Sequence, residues 1–300
     1  MRPWAPSLRS PDRCEGGRCD DLGVPDSSLR SAVTNPLIRA AFGADPGVSP
    51  LPESDVPVER WMRAVAWGAR GYYSRSRAEL DALTRGGVAE PAVVSLAWST
   101  QASLLRQLGW HAVSSGFDGR ALAVVGTGPG ASDGVLAVEA RCDAMTGLAA
   151  DALGCGRLAL GRRLLDRCAE HLDVHAHGEL WRQHVRRHWV SAELFLADGD
   201  FTAASRHAEA AAEISEAAGS VRHHVKSDLL RSASMTGESD SGPAARLAAD
   251  VLDRCDRYGL IPLKWAAAML LSGVTSDSRA EAVSEECEAL IRARGGRFRI

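Results

Sequence analysis

The chain has 300 residues, of which 45% are hydrophobic and 24% charged, and its formal net charge is −3. These values are typical of a globular protein and exclude both a low-complexity chain and a strongly basic nucleic-acid binder. Only Lys226 and Lys264 are lysines, and all other basic side chains counted in that charge are arginines. We attribute this skew to the codon usage of a GC-rich genome, so the arginines do not indicate nucleic-acid binding.

The cysteines and the apolar runs indicate the cellular compartment of the protein. Seven cysteines are an odd number scattered along the chain, which does not suggest a disulfide framework. The first residues, MRPWAPSLRSPDR, lack the apolar core of a signal peptide, and no apolar run approaches the ~18 residues of a membrane span. The sequence therefore predicts a reduced, cytoplasmic protein without a membrane partner.

Residues 1–54 are rich in Pro, Gly, Ser and Asp and lack sustained periodicity. Such a segment cannot bury enough apolar surface to offset the loss of chain entropy. We predict a disordered or poorly ordered tail, or a mis-annotated start, with residues 35–42 as its one candidate helix. Cys14 and Cys19 have no second Cys or His pair nearby, so we interpret them as solvated thiols rather than a metal site.

The clearest helical pattern lies in residues 181–219. Apolar residues recur mostly at spacings of three and four in both halves, as in two amphipathic helices. Between the halves, Gly199, Asp200 and Phe201 form a tight break. Two helices joined by so short a turn predict an antiparallel hairpin.

This hairpin resembles a tetratricopeptide unit. The match consists of Trp189, Ala192, Phe195, the Gly-Asp-Phe turn, Ala204 and Ala211. It departs from the family at its end, where no Pro follows the second helix. The resemblance implies an all-α fold, a right-handed superhelical array of about six antiparallel helical hairpins over residues 55–294, with a short basic tail at 295–300.

A small residue recurs about five positions into each predicted second helix. These residues are Ala78, Ala121, Gly161, Ala204, Ala245 and Ala280. Their spacings, 35 to 43 residues, are longer and less uniform than the ~34 residues of regular tetratricopeptide arrays, so the resemblance is to the superfamily. At Ala204 it implies a close contact between two helices, with Ala203 turned toward solvent.

The loop at 126–134 contains a G-x-G-x-x-A string and an overlapping G-x-S-x-G string around Ser132. A dinucleotide site or a nucleophile elbow built on these strings requires a strand before the loop and a parallel sheet. Residues 121–125 are a short β-like run, but no second strand follows the next helix. We interpret the loop as an inter-repeat connection and predict no cofactor and no catalytic residue.

His184 and His188 have the i, i+4 spacing of two zinc ligands on one helix face. The glutamate of the H-E-x-x-H motif is missing, and Arg186 and Arg187 between the histidines would repel a cation. The sequence therefore predicts no metal site here, and we interpret the basic run as a solvated face or part of a groove.

In the resembling family, the first helix of each hairpin lines a concave groove. Carried over by position, the partner-binding groove would consist of Asp143, Arg186, Trp189, Glu193, Lys226, Lys264 and Trp265, with Thr146 and Ser227 beside them. Core packing is the alternative interpretation of each Trp.

Three functions are compatible with the sequence. The first is a non-catalytic intracellular adaptor or scaffold that binds a peptide or partner protein in the groove. The second is a regulatory module of a transcription or signalling system, for which no helix-turn-helix with a basic recognition helix is visible. The third is a nucleotide-binding enzyme centred on residues 126–134. We favour the first, because the repeat is present without a complete catalytic set.

Overall fold

A computed structural model describes residues 35–87, 89–128, 134–173 and 178–299. Within these ranges the chain forms thirteen α-helices and no β-strand, which confirms the prediction of an all-α protein. The helices are α1 (Pro36–Phe42), α2 (Pro57–Ala69), α3 (Tyr73–Arg85), α4 (Pro91–Arg106), α5 (His111–Val125), α6 (Val135–Gly154), α7 (Leu158–Leu172), α8 (Trp181–Ala197), α9 (Phe201–Ala217), α10 (Val221–Ser234), α11 (Gly242–Tyr258), α12 (Ile261–Thr275) and α13 (Ser278–Ala293). None of the helices described is both long enough and apolar enough to cross a membrane.

The hairpin predicted from residues 181–219 is formed by α8 and α9. Gly199 ends the first helix with a φ of 78°, a backbone conformation that favours glycine. The Asp200 carboxylate accepts a hydrogen bond from the Ala203 amide at 2.9 Å and so caps α9. Glycine and aspartate in the break therefore set both helix ends.

Helices α2 to α13 form six consecutive pairs, and the first helices of these pairs form an inner layer. Each of α2, α4, α6, α8 and α10 contacts the first helix of the next pair. The last of them, α12, also contacts α2, so the layer closes into a ring. Each second helix packs against the first helix of its own pair.

Residues 35–54 belong to the packed protein, which differs from the tail expected through residue 54. The Asn35 side chain accepts a hydrogen bond from the Leu37 amide at 2.8 Å and caps α1. Leu37, Ala40 and Leu51 are buried in one cluster with Ala66 of α2. A few well-placed apolar side chains thus order a segment whose overall composition is polar. Residues 1–34 lie outside the described ranges.

The last residues of the chain, which were expected to form a tail, also pack against the helices of the ring. The Arg299 amide donates to the Leu108 carbonyl at 2.9 Å, and Trp110 Nε1 donates to the Arg297 carbonyl at 2.6 Å. The Phe298 ring lies 5.0 Å from the Trp265 ring. The last residues described therefore join the end of the chain to the turn between α4 and α5.

The small residues predicted at hairpin contacts are buried in three later pairs, at Gly161, Ala204 and Ala280. Ala245 is partly exposed, and its neighbour Ala244 is the buried residue.

In the first two pairs the predicted register was wrong. Ala78 is exposed, and Ala121 lies in the second half of α5. The buried small residues near the helix starts are Ser76 and Ser114. The error arose because the turn before α5 is at Gly109, which has a φ of 85°, and the repeat units differ in length.

Ala203 is also buried, with 2% of its surface exposed, and does not face solvent as expected. The reason is that α9 is covered on two sides, by α8 and by α10.

We expect Ala204→Leu to lower the free energy of unfolding by about 1–3 kcal/mol, the usual cost of overpacking a buried site. Ala204 is fully buried in α9, so a larger side chain must push neighbouring helices apart. The matched control is Ala217→Leu, because Ala217 is exposed on the same helix. Thermal and urea denaturation of both variants gives the comparison, and equal stabilities would show that Ala204 is not a close-contact position.

Candidate functional site

The interior of the helix ring contains a cleft with three adjoining compartments. Their volumes are about 70, 400 and 270 Å³, and all three are lined by Ser103, Gln107 and Arg186. The 70 Å³ compartment is lined by Phe42 of α1, and we call it the inner end of the cleft. The two larger compartments are close to the ~300–1,000 Å³ of typical ligand pockets.

Six of the seven groove residues predicted from the sequence line this cleft. They are Asp143, Arg186, Trp189, Glu193, Lys226 and Trp265. Thr146 also lines the 400 Å³ compartment, whereas Ser227 is buried and accepts a hydrogen bond from the Trp189 indole. These residues lie together because the first helices of the pairs face the cleft.

Lys264 is the exception and does not line any of the three compartments. Its Nζ lies 2.5 Å from the carboxylate of Asp256, whose side chain is 70% exposed. The position one residue before Trp265 points away from the cleft, since adjacent residues on a helix face different directions.

Trp189 is both a packing residue and a wall of the cleft. Its indole nitrogen donates to Ser227 Oγ at 2.9 Å, and its ring stacks on His223 with centroids 5.2 Å apart. Lys226 Nζ lies 4.5 Å from the ring centroid, a cation–π distance. The two interpretations of this Trp are therefore compatible.

Asp143 is the counter-ion of two arginines from α8. Its Oδ2 accepts a hydrogen bond from Arg182 at 2.6 Å, and its Oδ1 lies 2.9 Å from Nε of Arg186. Because the carboxylate is buried, its electrostatic attraction to the two guanidinium groups is stronger than it would be at the surface.

Arg222 lines the cleft at the inner end and in the 270 Å³ compartment. Its guanidinium donates to the carbonyl of Ala41 at 3.0 and 3.3 Å, and no carboxylate of the described residues lies within ion-pair distance of it. Burial, together with the charges of Arg186 and Arg182, lowers the pKa of Arg222 to about 9. The site thus concentrates positive charge.

Lys226 lies one helical turn after Arg222 on α10. Its Nζ is 3.4 Å from Oε1 of Glu193, the carboxylate that offsets its charge. Burial lowers the pKa of Lys226, although Glu193 opposes that shift.

A second buried ion network supports the wall of the cleft. Arg106 at the end of α4 forms an ion pair with Asp118 of α5 and lies 2.8 Å from Oδ1 of Asp151 of α6. Ser114 Oγ donates to the same Asp151 oxygen at 2.5 Å. Both carboxylates are buried, and together they fix three helices around one guanidinium.

The two carboxylates in this network have opposite pKa shifts. Burial raises the pKa of Asp118 to about 7, more than the attraction of Arg106 lowers it. For Asp151 burial also acts to raise the pKa, but the nearby His111 and the hydrogen bonds from Arg106 and Ser114 outweigh it and lower the value. Asp151 is therefore the permanent counter-ion of Arg106, and Asp118 binds a proton near neutral pH.

We expect the contribution of Asp118 to stability to fall by on the order of 2–4 kcal/mol as the pH rises from about 4 to about 7. Asp118 in the unfolded chain loses its proton near its ordinary pKa, whereas the folded protein keeps it until about pH 7. Histidines whose pKa values are lowered by burial, His188 and His223, act in the opposite direction, because the unfolded chain protonates them more readily. The contribution of Asp118 is therefore measured as a difference: in urea unfolding across this range, the wild type should lose stability relative to Asp118→Asn as the pH rises. A constant difference between the two proteins would show that Asp118 does not titrate in this interval.

Three residues of the cleft were not predicted from the sequence: Arg106, Gln107 and Arg222. Arg222 had a signal, since it lies four residues before Lys226 and therefore on the same helix face. Arg106 and Gln107 follow the apolar stretch of α4 and had no signal, because their inward position depends on where α4 ends.

The glycine-rich loop lacks the surroundings of a nucleotide site. Residues 121–125 are the end of α5 and not a strand, and α6 follows the loop. Arg141 donates to the carbonyls of Val125 and Gly126 and so fastens the start of the loop to α6. Ser132 lies outside the described residues.

The two histidines of α8, His184 and His188, lie in different surroundings. His188 Nδ1 lies 2.8 Å from Nδ1 of His207 on α9, and His184 is buried. Burial, followed by the charge of His207, lowers the pKa of His188 to about 4. Among the described residues, no group of three or more His, Cys, Asp or Glu side chains is arranged to hold a metal ion.

No protein-family model, curated protein or solved structure matches this chain.

Proposed function

We propose that the protein is a non-catalytic binding module of the tetratricopeptide-like kind, whose inner helices hold a peptide segment of a partner protein in the cleft. The observation that carries this proposal is the convergence of Arg186, Trp189, Glu193, Lys226 and Trp265, from three helix pairs, on one cavity. Grooves of helical proteins bind peptides through a few anchoring side chains of this kind.

The state of the acidic groups supports binding rather than catalysis. Asp143 is held by Arg182 and Arg186, and Glu193 is paired with Lys226. General acid or base catalysis needs a group free to exchange a proton with the substrate. Both carboxylates serve instead to balance positive charge.

The thiols support a cytoplasmic location. Cys142, Cys168, Cys255 and Cys287 are free and buried, as in proteins from a reducing compartment.

Site-specific photo-crosslinking tests the proposal. A benzophenone amino acid is placed at Leu229, which lines the cleft, or at Met269, which is exposed. After irradiation in an extract of the source organism, we expect Leu229 to give an adduct with a discrete peptide or protein, identified by mass spectrometry. Met269 should not give this adduct.

A blocking variant locates the adduct in the cleft. Ser103→Trp fills the region shared by all three compartments and removes no charge, so it should abolish the adduct. Ser239→Trp is the control, because Ser239 is exposed in the turn between α10 and α11. Equal crosslinking from Leu229 and Met269, or no adduct at Leu229, would contradict the proposal.

A further inference from the structure

We propose that the cleft recognises an organic anion, a carboxylate or phosphate group joined to an apolar body. Arg222, Arg186 and Lys226 would surround the anionic group. This inference rests on the proposed function, since it specifies what the bound segment must contain.

The charges of the described residues at the inner end do not balance. Arg182, Arg186 and Arg222 meet there, Asp143 is shared between the first two, and Glu139 lies 3.9 Å from Arg182, so two carboxylates face three guanidinium groups. Among the described residues, Arg222 hydrogen-bonds a backbone carbonyl and forms no ion pair, so its charge is left for a ligand. Two guanidinium groups near each other raise the energy of the empty site, and an anion between them lowers it.

The cations come from rigid elements and converge without a ligand. Arg222 and Lys226 are one turn apart on α10, and Arg186 reaches the same 270 Å³ compartment from α8. The carbonyl of Ala41 fixes the Arg222 guanidinium, and Asp143 fixes that of Arg186. Such preorganisation reduces the entropy lost when a ligand binds.

His223, next to Arg222, does not add a further charge. It is buried, accepts or donates a hydrogen bond with Ser220 at 2.8 Å, and stacks on Trp189. Burial, together with the surrounding arginines, lowers its pKa well below the ordinary value. The anion-binding charge is therefore that of the arginines and the lysine.

An apolar wall adjoins the cations in the same compartment. It is formed by Leu229, Leu263, Trp265 and Ile291, with Trp189 beside Lys226. A bare inorganic anion leaves this wall exposed to water, whereas an aliphatic or aromatic body attached to the anion covers it. The ligand is therefore amphipathic, and its two sources are the end of a peptide chain and a small organic acid.

Calorimetry with matched probes tests the inference and separates the sources. The small probes are phenylacetate, phenyl phosphate and uncharged phenylacetamide. The peptide probes are N-acetylated trileucine with a free carboxylate or with a terminal amide. We expect at least one anionic probe to bind roughly tenfold or more tightly than its uncharged counterpart, and binding to weaken with added salt. Binding of the free-carboxylate peptide identifies the end of a peptide chain as the source. Binding of the small acids alone identifies a small organic acid and contradicts the peptide ligand of the proposed function.

Variants connect the binding to the named cations. Arg222→Gln should weaken binding of the anionic probe roughly tenfold or more, while Arg206→Gln, an exposed position on α9, should leave it unchanged. Because Arg222 also holds α1, Lys226→Gln is measured beside it, and circular dichroism verifies that each variant is folded.

The outcomes separate this inference from the proposed function. Equal affinity for charged and uncharged probes, or unchanged binding in both Arg222→Gln and Lys226→Gln, overturns the anion proposal and leaves binding in the cleft intact. No binding of any anionic probe at millimolar concentration overturns it as well. If Ser103→Trp leaves probe binding unchanged, the probe binds outside the cleft and the anion proposal fails. The proposed function fails only if the crosslink at Leu229 is also absent or persists in Ser103→Trp.

Discussion

Arg106→Met is expected to lower the free energy of unfolding by about 3–5 kcal/mol at neutral pH. The substitution keeps most of the apolar stem but removes the one guanidinium between Asp118 and Asp151. Both carboxylates are buried, so the negative charge left behind has neither water nor another guanidinium in this network to stabilise it. Urea denaturation at neutral pH measures the loss.

The matched control is Arg85→Met. Arg85 is also paired with an aspartate, Asp81, but its side chain is 74% exposed. Exposed ion pairs contribute about 0–1 kcal/mol, so this variant should remain close to the wild type. Acidification should reduce the difference in free energy of unfolding between Arg106→Met and the wild type, because protonated carboxyl groups need no counter-ion. Equal losses for the two variants would mean that the buried network does not stabilise the fold.

The helices and most of their pairing follow from local sequence. In α8 and α9 the spacing of apolar residues predicts the two helices, and Gly199 and Asp200 predict the turn between them. Each of these signals lies in the segment whose structure it predicts. The inward direction of the first helices is implied by the resemblance and not by the periodicity. Six residues that line the cleft could be named in this way without knowing the tertiary structure.

The closed ring and the balance of charge in the cleft depend on contacts between distant residues. The contact of Arg299 with Leu108 joins positions nearly two hundred residues apart, and no local pattern marks it. Similarly, Arg106 looks like any other arginine of this arginine-rich chain, and the spacing of Arg222 from Lys226 does not show which carboxylates lie near Arg222. Whether an arginine is neutralised depends on which carboxylate the fold brings to it, and periodicity does not contain that information.

Asp143→Asn should also be strongly destabilising, by about 3 kcal/mol or more. The amide has nearly the same shape as the carboxylate, so packing is preserved and only the charge is lost. Arg182 and Arg186 then lie near Arg222 without their shared counter-ion. The control is Asp256→Asn, which removes the partner of Lys264 in an exposed ion pair and should cost little.

The same substitution should act on ligand binding in the opposite direction. The substitution removes the carboxylate that fixes Arg186, but it also removes a negative charge that competes with the anion for Arg186. We expect the second effect to be larger, so the anionic probes should bind more tightly to Asp143→Asn than to the wild type. Occupancy should also recover part of the lost stability, because a ligand that binds only the folded state shifts the equilibrium toward it. Calorimetry with phenylacetate and free-carboxylate trileucine, together with thermal denaturation in their presence, measures both effects. A variant that is less stable and also binds these anions more weakly would show that Asp143 shapes the site rather than competing with the ligand for Arg186.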